Sequence, residues 1–199
     1  SGITVTPTAG LTTTETGGTA TFTIALTSQP TDDVTIALSS TLLSEGTVSP
    51  ASVTFTTGTW ATPQTITVTG VDDVSDDGDV AYIVQTAAAT SADPLYGGVN
   101  APDVAVTNID NDGGGIVVTP SSGLTTTEGG GTATFTVVLS SQPTADVSVG
   151  LTSSDTTEGT VTPATLTFTP ANWSVPQAVV VTGVDDPAAD GSVPYTIVT

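Results

Sequence analysis

The chain has no lysine, arginine, histidine, cysteine or methionine. Each absence removes a class of function. Nucleic-acid binding requires cationic side chains to neutralise phosphate, and the polybasic route to anionic membranes needs the same residues. Ser-His-Asp and Cys-His catalysis, Schiff-base chemistry and phosphate-binding loops each lose an obligatory residue. Disulfides and Cys/His zinc sites are excluded, as are crosslinks between lysine and asparagine side chains. Charged residues make up only 10% of the chain and aromatics 5%, against 37% hydrophobic residues, which is not the charge-rich, apolar-poor composition of disorder. No apolar run approaches the ~18 residues of a membrane span, so direct membrane insertion is not expected. No signal peptide opens the chain, which reads as a processed form or a fragment.

What is present is acid, threonine and repetition. Twenty Asp and Glu residues give 199 residues a formal net charge of -20. Thr6 to Glu15 reads TPTAGLTTTE, and Thr119 to Glu128 reads TPSSGLTTTE. The displacement of 113 positions holds without a gap to Thr86 and Thr199, through the pairs Phe22/Phe135, Trp60/Trp173, Asp72/Asp185 and Tyr82/Tyr195. More than half of the aligned positions are identical. The chain is therefore a tandem duplication of a domain-sized unit. Repeat one is expected at 1–112. Repeat two is expected at 113–199, after the Gly113-Gly114-Gly115 run, without a counterpart of the last strand of repeat one.

Within each repeat the apolar period is two. Phe22, Ile24 and Leu26 alternate with Thr21, Thr23 and Ala25, and Val34, Ile36 and Leu38 alternate with Thr35 and Ala37. One face is apolar and the other is threonine, a β-branched residue that favours strands without adding much hydrophobic surface. Turn signals such as Thr16-Gly17-Gly18, Ser49-Pro50 and Asp77-Gly78 separate the runs. The pattern predicts an all-β fold, two tandem sandwiches of antiparallel strands near 3–8, 19–27, 34–39, 46–49, 52–56, 64–71, 80–88 and 103–110 in the first copy. Trp60 and Trp173 read as plugs at the end of each core.

The carboxylates collect at a few places. In repeat one they are Glu15 before a strand, Asp72 and Asp73 at a strand end, Asp76, Asp77 and Asp79 in the following loop, and Asp110 and Asp112 at the close. Repeat two keeps Glu128, Asp185, Asp186 and Asp190 and adds Asp155 where repeat one has Leu42. A sandwich can bring such loop ends to one pole. Converging carboxylates repel unless a cation or a proton neutralises them, and no side chain here carries positive charge. Irregularly spaced oxygen ligands on loops suit Ca²⁺ better than Mg²⁺. The spacing does not fit an EF-hand loop. The competing reading is a solvated, self-repelling loop end. Glu45 and Glu158, each before glycine, read as further ligands or as plain turn residues, with the turn favoured.

The Glu before a GGTATFT strand, the VTGVDD strand end, the acidic loop and the closing IDND together resemble the Calx-β family. The resemblance implies tandem immunoglobulin-like, Greek-key β-sandwiches that hold Ca²⁺ at the pole where one domain meets the next. It implies as ligands Glu15, Asp72, Asp73, Asp76, Asp77, Asp79, Asp110 and Asp112, with Glu128, Asp155, Asp185, Asp186 and Asp190 in the second copy. Leu42 departs from the pattern that Asp155 follows.

The repeats and the missing cations look most like large bacterial adhesins and surface-fibre proteins. The expected function is therefore non-enzymatic and structural: a Ca²⁺-stabilised extracellular or cell-surface stalk segment whose partners are neighbouring repeats. The alternative is a filament, sheath or surface-layer subunit that joins identical subunits by exchanging strands. Sugar stacking on Trp60, Trp173, Tyr82 or Tyr96 leaves glycans as possible partners. Paired Asp residues alone are weak evidence for hydrolysis of glycosides.

Overall fold

The computed structural model describes residues 1–187 and 191–199. It is all-β, and its contacts divide the chain into two units. The first comprises Ser1–Asp73 and Asp77–Asn111; the second comprises Val74–Asp76 and Asp112–Thr199.

In the first unit β1 (Ile3–Thr6), β3 (Thr19–Leu26), β5 (Gly46–Ser49) and β7 (Gln64–Gly70) form one sheet in the order β1-β3-β7-β5. The second sheet holds β2 (Leu11–Thr14), β4 (Val34–Ser40), β6 (Ser52–Phe55), β8 (Val80–Thr86) and β9 (Val104–Ile109), in the order β2-β9-β8-β4-β6. All eight strands expected from the alternation are present. Each sends its apolar face inward. Phe22, Ile24, Ile66 and Val68 from the first sheet join Val34, Ile36, Phe55, Val84 and Val104 from the second in one buried core. Threonines take the opposite faces and pair across strands, as Thr35 and Thr54 do through their hydroxyls at 2.9 Å.

One strand goes beyond the sequence reading. Leu11–Thr14 pairs parallel with β9, Leu11 beside Val106 and Thr14 beside Ile109. The pairing places Thr13, 1% exposed, against the interior and delivers Glu15 directly to the end of the sheet.

The second unit repeats the first sheet with β10 (Ile116–Thr119), β11 (Thr132–Leu139), β14 (Gly159–Thr162) and β16 (Gln177–Gly183), in the order β10-β11-β16-β14. Phe135 faces Val179 as Phe22 faces Ile66. The rest is shorter: β12 (Val147–Gly150) pairs with β15 (Thr165–Phe168), and β13 (Thr152–Ser153) pairs with β17 (Ile197–Val198). Phe135, Val149, Leu151, Phe168 and Val179 form its core. Trp60 and Trp173 each pack, partly buried, against the core of their own unit.

Candidate metal centre

Three acids of the first unit meet at one end of the sandwich. Glu45, Asp73 and Asp77 each offer a carboxylate oxygen, and the three oxygens lie within 4.8 Å of one another. Glu45 immediately precedes β5, Asp73 follows β7, and Asp77 lies in the loop before β8. Backbone bonding fixes the arrangement: the Val71 N–H donates to the Glu45 carbonyl at 3.0 Å, tying the end of β7 to the start of β5. Glu45 is 4% exposed, Asp73 is half-buried and Asp77 is exposed, so exposure rises from Glu45 to Asp77 across the cluster.

The buried side of Glu45 is held by donors. Asn108 Nδ2 reaches Glu45 Oε2 at 3.4 Å and the Val71 carbonyl at 3.0 Å, while the Ser44 hydroxyl donates to Oε1 at 3.3 Å. Thr13 Oγ1 donates to Asn108 Oδ1 at 2.9 Å and shares a hydrogen bond with the Tyr82 hydroxyl at 3.3 Å. Burial pushes the Tyr82 phenol above its ordinary value of 10.0, with the Glu45 charge adding in the same direction and the Thr13 bond opposing it. Tyr82 thus stays neutral and available for hydrogen bonding.

Glu15 and Asp110 form a second meeting of carboxylates in the same unit, with ligand oxygens within 4.8 Å. Glu15 is 2% exposed. Its Oε2 accepts the Asn111 N–H at 3.1 Å and Asn111 Nδ2 at 3.4 Å, and Asn111 Nδ2 also donates to Asp72 at 3.0 Å. Asp110 Oδ2 accepts the Gly78 N–H at 2.7 Å, and its own N–H donates to Asp79 Oδ1 at 3.2 Å. The IDND segment is therefore laced to the loop after β7.

Asp76 belongs to the second unit and accepts the Gly114 N–H at 2.7 Å. Asp112, half-buried, opens the main stretch of that unit. Asp155 accepts the Thr157 hydroxyl at 2.6 Å and the Thr157 N–H at 3.0 Å. Those two bonds hold its carboxyl below the ordinary 3.8. Glu128 and Asp185 are exposed and Asp186 is half-buried. Among the described residues, Glu128, Asp155, Asp185 and Asp186 join no cluster of three acids, and Asp190 lies outside the described residues.

Glu45 is the residue that local sequence reading assigns to a turn. Its position in SEGTV carries no sign of burial. The one available signal is that both repeats keep the acid before glycine, at Glu45 and Glu158. Two of the aromatics considered for sugar stacking are interior: Tyr82 is 3% and Tyr96 1% exposed. Tyr96 instead donates its hydroxyl to the Ser28 carbonyl at 2.7 Å.

The donor set fits a hard divalent cation. All ligand atoms are carboxylate oxygens, and two oxygens on opposite sides of a Ca²⁺ lie up to about 5 Å apart. Two such carboxylates repel by about 3 kcal/mol at an effective dielectric of 20 before solvent screening.

The architecture is an all-β sandwich with acidic clusters at strand ends. Among solved structures the chain is similar to CBD12 from CALX1.2, at 15% identity and a TM-score of 0.43 over 98% of this chain and 78% of that one. It is similar to the calcium binding domain CBD12 of CALX1.1, at 15% identity and a TM-score of 0.42 over 89% and 74%. It is also similar to the YadV chaperone, at 11% identity and a TM-score of 0.41 over 95% and 89%. Likenesses this distant assign no function. No family model matches the chain. No curated protein matches it either.

Proposed function

We propose that the chain is a non-enzymatic, extracellular structural segment whose first sandwich is stabilised by Ca²⁺. The observation that carries this reading is the convergence of Glu45, Asp73 and Asp77 in a chain without a single cationic side chain. Bound Ca²⁺ supplies the positive charge that the sequence omits. The protein supplies the rest: β5 and β7 set Glu45 and Asp73 in place, the Asn108 amide holds one Glu45 oxygen, and Asp77 closes the solvent side. Glu15 and Asp110 offer further oxygens in the same unit.

Several properties support a structural role. The repeats bury separate cores, and the outward faces are rich in threonine. The extracellular assignment rests on the cation-free composition and on a metal site suited to the millimolar Ca²⁺ of that medium. Bacterial adhesins and surface fibres are the class of protein this describes.

Isothermal titration of the 199-residue chain with CaCl₂ tests the site. The wild type should bind, and Glu45→Gln with Asp73→Asn should lose the tightest event. Equal Ca²⁺ binding by wild type and variant would refute the assignment.

A further inference from the structure

The turn between β15 and β16 keeps the build of its counterpart in repeat one but changes its chemistry. Repeat one reads Thr59-Trp60-Ala61-Thr62-Pro63-Gln64, and repeat two reads Asn172-Trp173-Ser174-Val175-Pro176-Gln177. The Trp60 N–H donates to the Thr56 carbonyl at 3.0 Å, and the Trp173 N–H donates to the Thr169 carbonyl at 3.1 Å. The Thr62 N–H donates to the Thr59 carbonyl at 3.0 Å, as the Val175 N–H does to the Asn172 carbonyl at 3.0 Å. In repeat one the Thr59 hydroxyl oxygen accepts the Thr56 N–H at 3.0 Å. In repeat two Asn172 Oδ1 accepts the Thr169 N–H at 2.6 Å. A threonine therefore closes this turn, and the fold alone does not account for the asparagine.

The exchange adds two groups together. Asn172 brings a carboxamide nitrogen, and Ser174, where repeat one has Ala61, brings a hydroxyl two residues on. Asparagine, any residue but proline, then serine is the acceptor pattern for N-linked sugar. Asn100, Asn108 and Asn111 are followed two positions on by Pro102, Asp110 and Gly113, so none of them fits it. The folded turn leaves both groups accessible. Asn172 is half-buried, Ser174 is exposed and Val175 is 57% exposed. Among the described residues, Asn172 is anchored through Oδ1 alone, and neither its Nδ2 nor the Ser174 hydroxyl is engaged by a hydrogen bond within the chain. Trp173 pins the turn from below: it packs partly buried against the core, and its carbonyl accepts the Leu139 N–H at 3.2 Å.

We propose that Asn172 is a modification site, the acceptor of an N-linked glycan. The donor is a sugar activated as a lipid-linked diphosphate. Transfer breaks the bond between the sugar's anomeric carbon and the diphosphate oxygen and forms a bond from that carbon to Asn172 Nδ2. One Nδ2 proton passes to a base of the transferase, and the diphosphate leaves on its lipid. The Ser174 hydroxyl is the group by which the transferase recognises the acceptor. Oδ1 takes no part, so its bond from the Thr169 N–H survives and the turn keeps its shape with the sugar attached. The glycan then stands on the turn that exposes Val175. The proposal is independent of Ca²⁺ binding in the first unit.

The test secretes the 199-residue chain from a human cell line behind a cleavable signal peptide, beside a glycoprotein that serves as a control. The intact mass of the secreted chain should exceed the 19.5 kDa of the polypeptide by one glycan. Peptide-N-glycosidase should remove that glycan and leave aspartate at position 172. Asn172→Gln and Ser174→Ala should each abolish the modification, and Ser174→Thr should keep it. Ser174 is exposed and makes no bond that folding needs, so its variants separate loss of the sugar from loss of the fold. The urea midpoint of the glycosylated chain should be no lower than that of Ser174→Ala. Three outcomes would each overturn the proposal: an unmodified chain secreted beside a glycosylated control, N-linked mass that survives Ser174→Ala, or a glycosylated chain less stable than Ser174→Ala.

Discussion

Replacing Asn108 by leucine should destabilise the first unit by about 3 kcal/mol. The side chains have similar volumes, so the change leaves little cavity and mainly removes hydrogen bonds. The bonds lost are those to Thr13 at 2.9 Å, Val71 at 3.0 Å and Glu45 at 3.4 Å. Each of the three bonds contributes about 1 kcal/mol, the length of the one to the carboxylate offsetting the strength its charge would add. The partners stay behind in a site where Asn108 is 1% exposed. The assay is urea unfolding followed by Trp60 fluorescence in a Trp173→Phe background, in chelator so that no cation contributes. Trp60 packs against the first core and so reports that unit. With an m-value of about 2 kcal/mol/M, the midpoint should fall by about 1.5 M. Thr13→Val, which keeps the Asn108 bonds to Glu45 and Val71, should cost about half as much. A midpoint change below about 0.3 M for Asn108→Leu would refute the view that this network holds the sandwich end together.

Other consequences follow from packing and protonation. Gly70→Ala should cost about 2 kcal/mol or more, because the new Cβ would meet the Thr14 carbonyl and Asn108, neither of which can move freely; the Trp60 unfolding midpoint reads it. Gly46→Ala should behave alike, since its Cβ would enter the Tyr82 ring. Asp93 is 2% exposed and accepts the Thr31 N–H at 2.7 Å and the Leu95 N–H at 2.8 Å, which hold its carboxyl below the ordinary 3.8. A carboxyl with a depressed folded pKa stabilises fully above its unfolded value and loses that contribution as pH falls through the folded one. The stability advantage of wild type over Asp93→Asn should therefore be constant near neutrality and shrink below about pH 4, as urea midpoints across pH will show.

The strands were legible because their information is local. Phe22, Ile24 and Leu26 alternate with small or threonine residues, and any half-buried strand must show that period. Leu11–Thr14 was not legible. It offers one apolar side chain in four residues and becomes a strand only by pairing with β9, with Thr13 bonded to Asn108 across 95 positions of sequence. The acid-rich pole was legible as composition, but its grouping was not. Asp73 and Asp77 meet Glu45, whereas Asp72 turns to Asn111 and Asp76 to Gly114. Which carboxylate goes where depends on how separate loops pass one another, and the spacing of acids along the chain does not encode that. Glu45 reads as a turn residue before it reads as a ligand because SEGTV satisfies the local criteria for a turn, while its burial comes from Asn108 and Val71 far away in sequence.

The central claim is that Ca²⁺ balances the acids gathered around Glu45. Calorimetric unfolding of the chain at fixed ionic strength, with excess Ca²⁺, with Mg²⁺ and after chelation, tests it most directly. Binding confined to the native state adds about 4 kcal/mol at a thousandfold excess over Kd. In a unit of this size that raises the melting temperature by about 15 °C or more. The account predicts such a rise with Ca²⁺, a much smaller one with Mg²⁺, and its loss in Glu45→Gln with Asp73→Asn. A melting temperature indifferent to Ca²⁺ would contradict it and leave the acidic pole as solvated surface.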